Sequence, residues 1–211
     1  KGVLSTYFQI PSGGSLFVTL HRPGAGPAQS QQPWPYYEPA GQPVEIAGAW
    51  QVSFIDGGPV LPDVFETEIL APWTNQSAKA SAFAGTALYA IEFHLPETRA
   101  AQWMLELGDV RESARVSING RHAGTAWHLP FQLHLPGGLL HAGVNELKIQ
   151  VTNLGANRIR WMDRKGKPWK IFKDANIVDL NYMPLNAALW RPVPSGLLGP
   201  VRLIPMSRYD P

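Results

Sequence analysis

Apolar and polar residues alternate along most of this chain with a period of two. In Thr86-Ala-Leu-Tyr-Ala-Ile-Glu-Phe-His-Leu95, residues Ala87, Tyr89, Ile91, Phe93 and Leu95 point one way, and Leu88, Ala90, Glu92 and His94 point the other. One face of that segment is therefore apolar, as in a half-buried strand. Gln102-Trp-Met-Leu-Glu-Leu-Gly108 sets Trp103, Leu105 and Leu107 on one side. Val144-Asn-Glu-Leu-Lys-Ile-Gln-Val-Thr152 separates Leu147, Ile149 and Val151 from Glu146, Lys148 and Gln150. Helical spacing is hard to find in any window longer than ten residues. Strands with one wet face pair into antiparallel sheets.

Turn signals punctuate these runs. Gly and Pro supply 40 of the 211 residues and fall between the apolar segments, the spacing of an all-β domain. Asn119-Gly120 tolerates positive φ at both positions, which makes Val116 to Gly124 a tight hairpin. In Gly108-Asp109-Val110, Asp109 is expected to accept backbone N–H bonds in a turn. Eight to ten strands are expected between about residues 44 and 206, giving an all-β antiparallel β-sandwich or jelly roll. Trp50, Trp73 and Trp103 are assigned to its core. Residues 1–43 read differently. Two strand-like runs, Tyr7 to Ile10 and Ser15 to Leu20, suggest a hairpin left from a preceding domain, and a Pro/Gly-rich linker follows. Trp34, Tyr36 and Tyr37 would pin that linker to a sandwich spanning 44–211.

Composition narrows the function classes. Charged residues make up 16%, with 18 Lys and Arg against 16 Asp and Glu, and this near balance argues against a nucleic-acid partner. The one local basic cluster runs from Arg158 to Lys173, and charge runs of this kind are commonly solvated loops. The absence of Cys removes disulfides, thiolate catalysis and zinc–thiolate sites. No apolar run of about eighteen residues is present to form a membrane-spanning helix. The chain opens at Lys1, so it is read as a piece whose export signal lies upstream, with a secreted or periplasmic bacterial location expected.

Enzymatic motifs are sparse. Glycosidases place two carboxylates across the scissile bond. The candidates here are Glu66, Glu68, Glu106, Asp109, Glu112, Asp163, Asp174 and Asp179, and no pair of them stands in a catalytic motif. His122, His128 and His134 share parity but fall on different strands or loops, so no transition-metal site is assigned. Ser195 lacks the glycine pattern of a nucleophile elbow. No cofactor is implied, and a structural calcium ion is left open.

Several segments, in order, resemble a known pattern: Gly48-Ala-Trp50-Gln-Val-Ser-Phe54, Trp73, Gly85-Thr-Ala-Leu-Tyr89, Leu107-Gly-Asp-Val-Arg-Glu-Ser-Ala-Arg-Val-Ser-Ile-Asn-Gly120, Gly124-Thr-Ala-Trp127-His-Leu-Pro-Phe131, Gly143-Val-Asn-Glu-Leu147, Val151-Thr-Asn153 and Pro194-Ser-Gly-Leu-Leu-Gly-Pro-Val201. Their order and spacing are similar to the galactose-binding-like β-sandwich at the C-terminal end of glycoside hydrolase family 106 α-L-rhamnosidases. The N-terminal sandwich of family 2 enzymes is a more distant likeness. The resemblance covers residues 44–205. It implies a non-catalytic domain, since such enzymes carry their catalytic carboxylates on a separate barrel. It also implies an Asn-Arg pair placed like Asn157-Arg158.

The segment 153–191 is an expected insertion. It is too long for an ordinary loop and too aromatic for a solvated tail. Trp161, Trp169, Phe172, Tyr182 and Trp190 offer faces on which a pyranose stacks, and Asn157, Arg158, Arg160, Asp163, Lys170, Asp174 and Asn176 offer polar forks for hydroxyls. The same residues would equally anchor the loop or dock it on a catalytic domain of the same polypeptide. The candidate sugar-binding set is Trp127, Asn157, Arg158, Trp161, Asp163, Trp169 and Trp190. The leading expectation is a carbohydrate-binding accessory domain taking a polysaccharide or oligosaccharide. A purely structural buttress and a stand-alone hydrolase or lyase are the alternatives.

Overall fold

The computed structural model describes residues 5, 7–10, 15–19, 36–97, 100, 102–170, 178, 180 and 183–209. Among them run thirteen strands: β1 (Tyr36–Pro39), β2 (Val44–Glu45), β3 (Trp50–Gly58), β4 (Phe65–Thr67), β5 (Ala84–Leu95), β6 (Gln102–Glu106), β7 (Asp109–Arg111), β8 (Ser113–Ile118), β9 (Arg121–Ala126), β10 (Gln132–Leu135), β11 (Gly143–Thr152), β12 (Gly196–Gly199) and β13 (Arg202–Tyr209). Two helices join them, α1 (Ala78–Ala82) and α2 (Ala156–Arg164). The strands beyond the expected eight to ten are two- to four-residue pieces, too short to show a period.

The strands form an all-β antiparallel sandwich. One sheet has the order β4-β3-β5-β11-β8-β9. The other has the order β1-β13-β6-β10, with β2 also on β13, and β7 and β12 form a separate ribbon. The two longest strands, β5 and β11, pair over ten residues from Leu95↔Gly143 to Thr86↔Thr152. Strand β1 lies within the segment expected to be a linker, and it pairs with β13 over four residues, Tyr36↔Tyr209 to Pro39↔Met206. Residues 7–10 and 15–19 are exposed and carry no strand assignment, and the turn expected between them lies outside the described residues. The Tyr7 ring does reach β1, edge-on to Tyr36 at 5.0 Å. Trp34 lies outside the described residues.

Alternation places the core as expected. Ala87, Tyr89, Ile91, Phe93 and Leu95 of β5 are buried, as are Leu147, Ile149 and Val151 of β11. They meet Trp103, Leu105 and Leu203 from the opposite sheet in one continuous cluster. Each fully buried Leu, Ile or Val contributes about 1.5–3 kcal/mol relative to exposure. Trp50, Trp73 and Trp103 all belong to this cluster. Phe54 packs edge-on against Phe83 at 4.9 Å and Trp73 at 5.5 Å, an arrangement favoured by the ring quadrupoles.

Two local features fix the sheet. Asn119 and Gly120 adopt φ of 50° and 74°, as the two-residue turn between β8 and β9 requires. The Asn119 side chain also donates to the Leu139 carbonyl at 2.8 Å and accepts from the Glu146 amide at 2.9 Å, tying the turn to β11. Near the opposite end, β3 and β5 approach through paired glycines. A Cβ on Gly85 would lie 2.1 Å from the Asp56 carbonyl oxygen and 2.6 Å from Gly57 Cα.

Register defines one end of the six-stranded sheet. Asp56 of β3 and Thr152 of β11 both pair with Thr86, Thr152 also pairs with Ser113, and Ala114 pairs with Ala126. The last residues of β3, β9 and β11 and the first residues of β5 and β8 therefore lie together. Helix α2 departs from this end after β11, and Trp127 follows β9 there.

Candidate functional site

The segment 153–191 carries α2 rather than an irregular loop. Asn153 is its root. The Asn153 Oδ1 accepts from the Gly85 amide at 2.9 Å, and its Nδ2 donates to the Phe83 carbonyl at 3.1 Å and to Ser195 Oγ at 2.9 Å. Asn157, one turn into the cap, is 1% exposed. Its Oδ1 accepts from the Val193 amide at 2.8 Å, and its Nδ2 donates to the Val193 carbonyl at 2.9 Å. Ser195 is buried between the two asparagines, and its hydroxyl donates to the Val193 carbonyl at 3.0 Å. Buried amides need such partners. The two ends of the segment are thereby clamped onto the sheet.

Asp163 makes the second clamp. It accepts from the Trp169 indole N–H at 2.5 Å through Oδ1 and from the Ala187 amide at 2.7 Å through Oδ2, and the Lys170 ammonium lies 3.8 Å away. Burial works to raise the Asp163 pKa, but these hydrogen bonds and the lysine outweigh it and hold the carboxyl below its ordinary value. Arg160 Nε donates to the Trp190 carbonyl at 2.7 Å and Arg164 Nε to the Ala188 carbonyl at 2.9 Å, so the returning chain is stitched along α2. Burial, and then the neighbouring Arg164 charge, lower the Arg160 pKa.

The expected sugar-binding residues thus divide. Asn157, Asp163 and Trp169 are spent on internal hydrogen bonds, so their polar atoms hold the cap together rather than face a ligand. Arg158 is exposed and Trp161 half-buried. The Arg158 guanidinium lies over Gly58 of β3, where a Cβ would come within 2.9 Å of Cζ. Trp190 is 38% exposed and Trp127 is 71% exposed. Phe172, Asp174, Asn176, Asp179 and Tyr182 lie outside the described residues.

A cleft of about 500 Å³ opens beside Trp127 and is lined by Asp109, Arg111, Glu112, His128, Leu129 and Phe131, among others. Asp109 does not close a backbone turn as expected. Its Oδ2 accepts from Arg111 Nη2 at 2.6 Å, and this hydrogen bond, with the carboxylate charge, raises the Arg111 pKa further. Arg111 Nε is buried without a hydrogen-bond partner. The cleft therefore offers an exposed indole, a charge-fixed guanidinium and two carboxylates, which together suit hydroxyl-rich ligands. Sequence reading caught Trp127 but missed Arg111. The signal was available in the alternation of Asp109, Val110 and Arg111, which buries Val110 and turns both charged neighbours to one side. The cleft shares an end of the sheet with the α2 cap, because the Glu112 amide donates to the Thr152 carbonyl at 2.9 Å, one residue before Asn153. Among the described residues, no three His, Asp or Glu side chains gather as a metal site.

The same antiparallel sandwich occurs as one part of larger glycoside hydrolase chains. A rhamnosidase from Novosphingobium sp. PP1Y matches 87% of this chain at 29% identity with a TM-score of 0.61, and the match covers 16% of that enzyme. A Bifidobacterium dentium β-glucuronidase, solved with coumarin-3-O-glucuronide, shares the fold over 78% of the chain and 30% of its own, at 18% identity and a TM-score of 0.50. A Formosa agariphila protein named "Putative beta-glucuronidase" is 31% identical over 121 residues, 56% of this chain and 10% of that protein. The chain thus spans only 10% to 30% of the length of these relatives. No family model matches it.

Proposed function

We propose that the chain is a non-catalytic accessory sandwich of a polysaccharide-degrading glycoside hydrolase, and that it grips or positions carbohydrate at the end where the Trp127 cleft meets the α2 cap. The observation that carries this reading is the cleft itself: Trp127 is 71% exposed beside the Asp109–Arg111 pair. An indole held outward at that exposure is a stacking platform for the C–H face of a pyranose, and the ion pair beside it offers polar partners for hydroxyls. The match to the Novosphingobium rhamnosidase over most of this chain but little of that enzyme supports an accessory role. The finer assignment, to the galactose-binding-like domain of the family 106 kind, rests on the ordered segments from Gly48 to Val201. The residues before β1 are read as a connection to a preceding domain, and an extracellular or periplasmic polymer as the substrate of the parent enzyme.

A second reading rests on the cap. With Asn157, Asp163 and Trp169 turned inward, and with Leu154 and Leu189 exposed at 56% and 85%, this surface also suits docking against a catalytic domain. A glycan array probed with the whole chain and with Trp127→Ala separates the two. Carbohydrate handling predicts binding that Trp127→Ala weakens at least tenfold. Failure of the whole chain to bind any glycan would leave the buttress.

A further inference from the structure

The net charge of +2 hides a strong asymmetry. Residues 154–195 hold eight of the 18 basic residues and three of the 16 acidic ones, a balance of +5, and the remaining ten basic and thirteen acidic residues give −3. Five of these cations are exposed in one short stretch of the described residues. Arg158, Arg164, Lys165, Lys167 and Lys170 are exposed along α2 and the turn after it. The one acidic side chain described in the segment, Asp163, accepts from the Trp169 indole and the Ala187 amide and faces Lys170 at 3.8 Å, so it offsets one of these cations at most.

The hydrogen bonds made by these cations matter as much as their number. Arg160 and Arg164 donate to the carbonyls of Trp190 and Ala188, whereas Lys170, which donates to the Leu185 carbonyl, is also the ion-pair partner of Asp163 at 3.8 Å. A carbonyl fixes the position of a cation without cancelling its charge. The cap is therefore a preorganised positive surface, and the two guanidinium groups donate through Nε, which leaves their Nη atoms for other partners. Arg160 feels the crowding, since the Arg164 charge helps to lower its pKa. Trp190 lies beside them, 38% exposed. Bringing an anion to such a surface relieves the mutual repulsion at once, and no rearrangement is needed to uncover the cations.

We infer that the α2 cap selects an anionic polysaccharide, one bearing carboxylate or sulfate groups along its chain, and that this selectivity adds to the stacking at Trp127. The inference rests on the carbohydrate-handling reading above. It favours a polysaccharide over duplex DNA because a duplex carries one charge per about 1.7 Å of its axis, and the −3 on the rest of the chain opposes so dense a line of charge more than it opposes a more sparsely charged single polysaccharide strand.

The test measures affinity of the whole chain for polygalacturonate (carboxylate), dextran sulfate (sulfate), unsubstituted dextran and duplex DNA, at about 0.05 M and about 0.5 M salt, since screening tightens over that range. The expected result is that one of the two anionic polysaccharides binds at least tenfold tighter than dextran and than DNA, with the advantage falling as salt rises. Lys165→Glu with Lys167→Glu, both exposed, lowers that affinity about tenfold, whereas Arg121→Glu at the opposite end of the sheet changes it less than twofold. Thermal melts of both variants confirm that they fold. Equal affinity for DNA, or anionic binding indifferent to Lys165 and Lys167, overturns the inference. So does Trp127-dependent binding of neutral glycans with no preference for charged ones, and in that case the carbohydrate-handling reading stands. Failure to bind any carbohydrate, neutral or charged, overturns both.

Discussion

Asn153 Nδ2 donates to Ser195 Oγ at 2.9 Å, closing a 42-residue excursion of the chain onto the sheet. Asn157 reaches the same hydroxyl at 3.2 Å and brackets Val193 with both ends of its amide. Side chains thereby replace the ladder that would otherwise hold this segment to the sandwich. Asn157→Ala leaves the Val193 amide and carbonyl without these bonds, and one such loss costs about 1–3 kcal/mol. Chemical denaturation is expected to show a lowered midpoint with the slope unchanged, and exposed Lys167→Gln should not move it.

The Asp163 clamp is expected to open in acid. Its folded pKa is depressed, so its contribution to stability is complete above the unfolded value of about 3.9 and is lost as pH falls through the lower folded value. Trp169 donates directly to this carboxylate, so its fluorescence reports the event. A change in tryptophan emission below about pH 4 that Asp163→Asn abolishes is the predicted outcome.

Gly85→Ala should be among the most damaging small substitutions. The new Cβ would fall 2.1 Å from the Asp56 carbonyl oxygen, at a φ of +156°, and neither backbone can yield without parting β3 from β5. A loss of about 2–4 kcal/mol is expected, read as a thermal shift or as insoluble expression. Gly120→Ala meets no atom within 4 Å, so only its positive φ is strained, and about 1 kcal/mol is expected.

The two classes of tryptophan should separate cleanly. Trp73→Ala removes a ring with no exposure that packs against Phe54 and Phe83, at a cost of about 3–5 kcal/mol. Trp127→Ala removes an exposed ring, and stability should stay within about 0.5 kcal/mol while glycan affinity falls.

The strands were legible because each long one faces a core on one side and water on the other. Tyr89, Ile91, Leu147 and Ile149 therefore declared their side by alternation. The Asn119-Gly120 turn was legible because few dipeptides accept its backbone. Helix α2 was not. It spans only nine residues, shorter than the windows in which helical spacing stands out, and its one buried residue is Asn157, held with Arg160, Asp163 and Arg164 by polar bonds. The same inward turn engages the polar atoms of part of the candidate site. Asn157, Asp163 and Trp169 have the chemistry of sugar ligands, and composition cannot tell whether a hydrogen bond will go to a hydroxyl or to the chain's own backbone. Asp109 behaved likewise: a turn-forming type on sequence grounds, it instead pairs with Arg111, two residues away on the same side of β7.

Carbohydrate handling at one end of the sandwich is tested most directly by following the indole N–H signals of the eight tryptophans by NMR during titration with a glycan that the array identifies. The Trp127 and Trp190 signals are predicted to shift with ligand, while those of Trp50, Trp73 and Trp103 stay fixed. Saturable binding that leaves Trp127 and Trp190 unmoved would contradict the account.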